Sequence, residues 1–319
     1  MRMREPISAS AGLDLIRSGS RRRQRDSLLV VCAYNEANSL PYLLDAVSDH
    51  DTLVVDDGSI DGTHKVVSRS GAALVVHPTR LGKSFSLQDA LGYASSQGYK
   101  VVIEIDADAI PGSRAVSSLI KAVAREDVGG ASVWQVPIGP RNVSYFLDEF
   151  IWSMLNHGKR AQQALSGSCH TGGVMNAFKI DYVPRVSGAI NDDEQICIAL
   201  RSRRLKTVLV KDAVAYFDAS SSIGHIMQRR RRMVTGHMVY SKSTAPSMDA
   251  TALGMAVFWS IREKPSRLPW LVPAVMLELV SRLLAWKDSR DSVALERTKH
   301  WVTTYEKNRI SDIRDSSIR

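Results

Sequence analysis

Cysteine is scarce in this 319-residue chain: Cys32, Cys169 and Cys197 are the whole set. They lie far apart, form no CxxC pair and are odd in number, which argues against a disulfide framework or a zinc knuckle and for a reducing compartment. Long apolar runs are missing too, since none reaches the roughly 18 uninterrupted residues of a spanning helix. The nearest approach, Leu268 to Trp286, is broken by Glu278 and Arg282. Each charge costs about 2.5–3.5 kcal/mol at the bilayer centre, so an interfacial helix, or else a packed soluble one, fits this segment better than a span. The start of the chain lacks the apolar stretch of a secretory signal: Arg2, Arg4, Arg17, Arg21, Arg22, Arg23 and Arg25 interrupt it, and residues 1–26 read as a disordered basic arm. There is no internal repeat and no low-complexity tract beyond that arm.

What remains is ordinary for a folded protein, with 44% hydrophobic and 24% charged residues. The net charge of +9 favours anionic partners, whether nucleotide phosphates, anionic lipid surfaces or nucleic acid. From Ser27 to Ile105, short β-rich runs alternate with segments of helical period, the pattern of a parallel α/β sheet. The expected strands are Leu28 to Ala33, Thr52 to Val55, Ala73 to His77 and Val101 to Ile105. Leu40, Leu43, Leu44 and Val47 mark one helix face, with Ser39 as its N-cap, and Leu87, Ala90, Leu91 and Ala94 mark another. Helices are also expected near Arg114 to Ala124 and Tyr145 to Leu165, and a strand near Ala131 to Val136. The segment 241–319 reads as a mainly helical C-terminal extension following a domain over 27–240.

Polar motifs fall at the carboxyl ends of the strands, where ligands collect in open parallel sheets. Asp106-Ala107-Asp108 puts two carboxylates one residue apart, a hard-oxygen pair suited to Mg²⁺ or Mn²⁺ that must also bind phosphate. Read alone, it could equally be two solvated turn carboxylates. Val54-Val55-Asp56-Asp57-Gly58-Ser59-Ile60-Asp61-Gly62-Thr63 is more specific, because an apolar strand runs into acids, a glycine turn and an Asp/Thr helix start.

With Val30 to Glu36, which ends in Tyr34-Asn35-Glu36, this phrase resembles the family 2 glycosyltransferases of the GT-A fold. The resemblance implies an α/β, Rossmann-like domain with a mostly parallel central sheet and a nucleotide-sugar donor, a UDP-sugar being favoured. It implies that Asp57 accepts a hydrogen bond from the nucleobase and that Ala33, Tyr34 and Glu36 line the nucleoside pocket. Gly82 and Lys83 then match the family's Gly-Lys segment, and Asp106 and Asp108 hold the divalent cation on the diphosphate. A capping role is the other reading of Asp57, one that Asp61 could also fill. A P-loop is disfavoured, because His77 stands where that motif needs glycine.

Further along, Asn191-Asp192-Asp193-Glu194 looks like the family's Glu-Asp motif, with Asp192 replacing Glu and Asp193 at the position of the general base. A hydroxyl attacking an anomeric carbon needs such a group to take its proton. The bland alternative is an acidic first helical turn. Gln228-Arg229-Arg230-Arg231-Arg232 resembles the Gln-x-x-Arg-Trp motif: Gln228 and Arg231 match, and Arg231 is thereby implied to neutralise the leaving diphosphate. Arg232 replaces the Trp of processive synthases, which argues against a polymer-extruding enzyme. Gly172 and Gly173, in Gly172 to Phe178, resemble the glycine-rich strand beside the donor sugar. His170 next to them could polarise a hydroxyl, while Trp134 and Trp152 read as core.

The resemblance covers residues 27 to 240 and implies an inverting, metal-dependent, non-processive transferase. The basic surface and the Leu268 to Trp286 segment favour a hydroxyl or phosphate acceptor on a lipid or lipid-linked group, handled in the cytoplasm at the inner membrane face; a soluble metabolite or a glycan would leave the same motifs. Two other classes stay open: a nucleotidyltransferase, and a non-catalytic basic protein that grips membrane or nucleic acid. The first is disfavoured because Cys32-Ala33-Tyr34-Asn35-Glu36 follows the first strand where a Gly-rich basic loop would be needed. Nucleic acid is the disfavoured partner in the second.

Overall fold

The computed structural model describes residues 26–240, 249–291 and 294–295. The basic arm, apart from Asp26, and the polar tail therefore lie outside the described residues.

Four aliphatic runs form the first strands: β1 (Ser27–Ala33), β2 (Thr52–Asp56), β3 (Ala73–Val76) and β4 (Val101–Asp106). They pair in parallel in the order β3-β2-β1-β4, with Ala33 beside Asp56 and Cys32 beside Asp106. Parallel strands are covered on both faces, so their sequences are apolar throughout. Alternation divides β1 between two cores. Leu29, Val31 and Ala33 join Leu40, Leu43, Leu44 and Val47 on one side, while Leu28 and Val30 join Leu87, Ala90, Leu91 and Ala94 on the other. The helices supplying these faces are α1 (Leu40–Ala46), α2 (Thr63–Ser70) and α3 (Lys83–Ser96). Ser39 occupies the N-cap of α1 but makes no capping bond there; its hydroxyl donates to the Glu36 carboxylate.

Beyond β4 come β5 (Ala109–Pro111), α4 (Ala115–Val123), β6 (Val128–Ile138) and the long α5 (Val143–Ser166), capped by Asn142. Then follow β7 (Met175–Lys179), α6 (Asp192–Ser202), β8 (Lys206–Asp218) and α7 (Ile223–Tyr240). β7 runs antiparallel to both β4 and β6, and the eight-stranded order is β3-β2-β1-β4-β7-β6-β8-β5. Register places Asn176 of β7 opposite Glu104 of β4. Trp152 is buried against Phe217, as its core reading predicts. The C-terminal helices α8 (Ala250–Glu263) and α9 (Leu271–Asp288) pack on α5 and α7.

Candidate active site

The ends of β1 and β2 are tied into one cradle. Asn35, at φ +54, accepts the Ile60 amide on its side chain and gives its own amide to Ser59 Oγ; Asp61 accepts the Ala37 amide. Thr63 Oγ1 receives the Glu36 amide at 2.9 Å. Asp57 turns inward: its carboxylate accepts the amides of Leu81 and Gly82 and sits 2.8 Å from His77 Nδ1. That arrangement fixes the loop leading into α3, so Asp57 is an anchor for the Gly82-Lys83 segment, and the capping function belongs to Asp61, which accepts the Thr63 amide and hydroxyl. His77 is held between Asp57 and Asp89. Burial works against its charge, but the two carboxylates outweigh it and raise its pKa above the ordinary histidine value. Across the cradle, the Arg80 guanidinium lies 4.1 Å above the Tyr34 ring.

Gly58 closes this cradle at φ +76, where an added Cβ would stand 2.8 Å from Arg80 N and from Thr79 C. Both the backbone conformation and the space demand glycine. Gly58→Ala is expected to cost about 1–3 kcal/mol of stability. Thermal unfolding checks this; an unchanged Tm would contradict the fit.

Next to the cradle lies an acidic cluster. Asp106 ends β4, Asp108 lies in the turn that follows, and Lys83 Nζ stands 2.8 Å from Asp106 and 2.9 Å from Glu104. Desolvation opposes the Lys83 charge, but Asp106, Glu104, Asp192 and Asp193 together hold its pKa well above the usual lysine value. Glu104 is 3% exposed, and burial pushes its carboxyl above the usual range, Lys83 pulling the other way. Burial and then the Asp192 charge push the Asp193 carboxyl up to about 7. Asp192 Oδ2 is buried with no hydrogen-bond partner among the described residues. Carboxylates thus outnumber Lys83, Arg232 and Lys159, the cations whose fields reach them, and the oxygen donors of Asp106 and Asp108 are of the kind that could hold a hard divalent cation.

β7 and α6 supply the opposite wall. Gly172 and Gly173 have φ of +139° and +107°. A Cβ on Gly173 would fall 1.9 Å from Gln135 Oε1, and one on Gly172 would lie 3.2 Å from Asp193 Oδ2. The main chain therefore runs directly against the acid. Asn176 Nδ2 reaches both Gly173 O and Asp193 Oδ1, orienting that carboxylate, and Lys159 Nζ from α5 donates to Gly172 O. Asn191 caps α6, so Asp192 and Asp193 occupy its first turn. Ala33, Glu36, Gly82, Lys83, Asp106, Asp193, Gly172 and Gly173 all lie on these connected elements.

Arg231 does not. At 100° per residue, α7 turns Arg231 toward α9, where it pairs with Asp288 at 2.5 Å, and the same turn brings Arg232 to the carboxylates. Gly236, one turn on from Arg232, packs against Asn191, which confirms the face. Arg232 is half-buried within the fields of Asp192, Asp106 and Asp193; desolvation is the larger effect and lowers its pKa. The arginine beside the acids is thus Arg232, not Arg231. Arg229 pairs with Asp148, Arg230 with Glu278, and Gln228 is exposed. The basic run is therefore a set of structural ion pairs plus one site arginine, and Arg229 and Arg230 are not a free basic face.

Sequence reasoning missed His77, Glu104, Lys159, Arg232 and Asn176 as parts of the site. Glu104 carried a readable signal, since an acid in an otherwise aliphatic strand is rarely buried without a purpose.

Comparison with known proteins bears on the family and the fold. Residues 28–186 match the family model "Glycosyl transferase family 2". An undecaprenyl-phosphate mannosyltransferase from Micrococcus luteus is 34% identical over 110 residues, covering 32% of this chain and 45% of that protein, so the match spans less than half of the relative's length. A mannosyltransferase from Pyrobaculum calidifontis, solved with GDP-Man and Mn²⁺, superposes with a TM-score of 0.55 at 19% identity over 97% of this chain and 92% of its own. Glucosyl-3-phosphoglycerate synthase from Mycobacterium tuberculosis, solved with Mn²⁺, UDP and glucosyl-3-phosphoglycerate, gives 0.50 at 19% identity over 74% and 89%. Those structures share the fold, and the family model covers the cradle, the acid pair and the glycine strand. This chain belongs to glycosyl transferase family 2 and has the GT-A fold.

Proposed function

We propose that the protein transfers a sugar with inversion from a nucleotide-sugar, a UDP-sugar being favoured, to a lipid or lipid-linked acceptor, one sugar per encounter. The observation that carries the reading is the convergence of Lys83, Asp106, Asp193 and Arg232 beside the nucleoside cradle of Ala33, Tyr34, Glu36 and the Asp57-held loop. Mn²⁺ or Mg²⁺ held by Asp106 and Asp108 would supply Lewis-acid stabilisation of the diphosphate. Lys83 and Arg232 add positive charge on the leaving-group side, and Asp193, oriented by Asn176, takes the acceptor proton. The structures solved with Mn²⁺ and nucleotides support this cofactor class for the fold.

Arg232→Gln is expected to lower kcat about 10²-fold, the usual effect of removing one donor that stabilises developing charge. Arg231→Gln should leave turnover near the parent value while losing its Asp288 pair. Steady-state kinetics on the two variants test the assignment; the reverse ranking would sink it.

The acceptor side rests on α9. Val272, Met276, Leu279, Leu283 and Trp286 recur at helical spacing, and each is more than half exposed. The opposite face, Leu277, Ser281, Ala285 and Asp288, is buried, and α9 packs along α7. By length and composition Pro265–Asp288 is able to cross a bilayer, with a mean hydropathy of 1.6. Its packed face and the Arg230–Glu278–Arg282 ion pairs support lying in the interface instead, at the inner membrane face. The lipid-phosphate acceptor in the name of the Micrococcus relative points the same way. The domain division at 240 fits this reading, with 27–240 as the transferase and the helices after it as the membrane-facing extension. Flotation should recover the protein with anionic vesicles at low salt. Val272→Glu/Leu283→Glu should stay with the unbound fraction, and equal flotation of the two proteins would remove the membrane argument.

A further inference from the structure

One cluster next to Asp193, built on a buried glutamate, is not used by the transfer proposed above. His170 lies in the loop before β7, Glu194 in the first turn of α6, and His237 near the end of α7. Glu194 is 1% exposed; its Oε2 stands 2.6 Å from His170 Nε2 and 3.0 Å from His237 Nδ1. These ligand atoms all lie within 4.8 Å of one another, and the two imidazole rings are 5.5 Å apart at 68°. The second oxygen, Oε1, is buried with no hydrogen-bond partner among the described residues. A buried carboxylate that merely bonded two histidines would still leave that lone-pair set unsatisfied.

Two imidazole nitrogens and a carboxylate form a donor set for borderline first-row ions, unlike the oxygen-only pair at Asp106 and Asp108. Zinc binds such atoms at about 2.0–2.2 Å, so its ligands stand roughly 3.3–3.5 Å apart around a tetrahedron. The two carboxylate–imidazole distances need to open by less than about 1 Å to meet that, and the imidazole nitrogens, within 4.8 Å of each other, complete the triangle. Burial keeps His170 below the ordinary histidine value, so it presents a neutral imidazole, as a metal requires, although Glu194 pulls the other way.

We propose that His170 Nε2, His237 Nδ1 and the Glu194 carboxylate form a second cation site, for Zn²⁺ or a similar late first-row divalent ion. The ion clamps α6, α7 and the pre-β7 loop around Asp193 and leaves at least one coordination position for water. The clamp joins elements far apart in sequence, so binding couples to folding.

Cobalt(II) is the probe, used on the full chain carrying Asp106→Asn/Asp108→Asn so that the hard-oxygen pair is gone. After chelator treatment and dialysis, one equivalent of Co²⁺ should bind with visible ligand-field bands, Zn²⁺ should bleach them, and Zn²⁺ should raise Tm. His237→Gln, at a half-exposed position, should weaken Co²⁺ binding at least about tenfold without disturbing the circular dichroism; His170→Gln should do the same. Absence of the bands before any histidine is changed would overturn the proposal, as would bands and affinity unchanged by both His→Gln variants. The assay uses neither donor nor turnover, so its failure leaves the transferase reading standing, and failure of that reading leaves this result intact.

Discussion

Asp193→Asn lowers kcat about 10²–10⁴-fold with a hydroxyl acceptor, the range expected for loss of a general base, and leaves donor affinity close to the parent value. The geometry separates the two effects, because Asp193 stands on α6 against Gly172 and Asn176, across from the cradle proposed to hold the nucleoside. A base whose carboxyl is pushed up to about 7 is half ionised near neutrality. Activity of the parent should therefore rise with pH through that value, and this limb should vanish in Asp193→Asn. Stability gives an independent reading. The folded carboxyl binds its proton more tightly than the 3.8 of the unfolded chain, so between about 4 and 7 the native state holds more protons. Native stability falls as pH climbs through that window, and above it Asp193→Asn should melt higher than the parent, a difference that shrinks on acidification. A loss of kcat below tenfold would mean that the acceptor brings its own ionised oxygen, as a phosphate does with its second pKa near 6.

Asp108→Asn should abolish metal-dependent donor binding. In the parent, UDP with Mn²⁺ at about 100 times Kd should stabilise by about 2.7 kcal/mol, which is several degrees in Tm for a chain of this size. The variant should show no shift, and its turnover should fall by at least the 10²-fold typical of lost charge stabilisation. Asp108 is a cleaner position than Asp106, because Asp106 is also the ion-pair partner of Lys83, and its removal leaves that ammonium on Glu104 alone. A full thermal shift in Asp108→Asn would remove the acid pair from the metal assignment.

Much of this was legible before any coordinates. The four parallel strands were visible because buried parallel strands are aliphatic throughout, and their expected ends fall within a residue or so of the observed ones. Val55 to Thr63 could be read because its acids and glycines each serve a backbone need: Gly58 meets Arg80 and Thr79, and Asp57 holds the Leu81 and Gly82 amides. What the sequence hid depends on direction. Motif matching selects Arg231, whereas the site faces the residue one step along the helix. Strand β8 escaped because Lys211 and Asp212 interrupt its alternation at the irregularity where pairing to β6 shifts between Val133 and Trp134. The His170–Glu194–His237 cluster escaped because its members come from three elements, and no spacing in the chain announces that they meet.

The most direct test of the central claim is product analysis on a panel of nucleotide-sugars incubated with the protein, Mn²⁺ and an anionic lipid extract. The account predicts release of nucleoside diphosphate from one donor, dependent on metal and lost in Asp108→Asn, with the sugar recovered in the lipid fraction. Release of pyrophosphate, or equal nucleoside diphosphate release by the parent and Asp108→Asn, would contradict it.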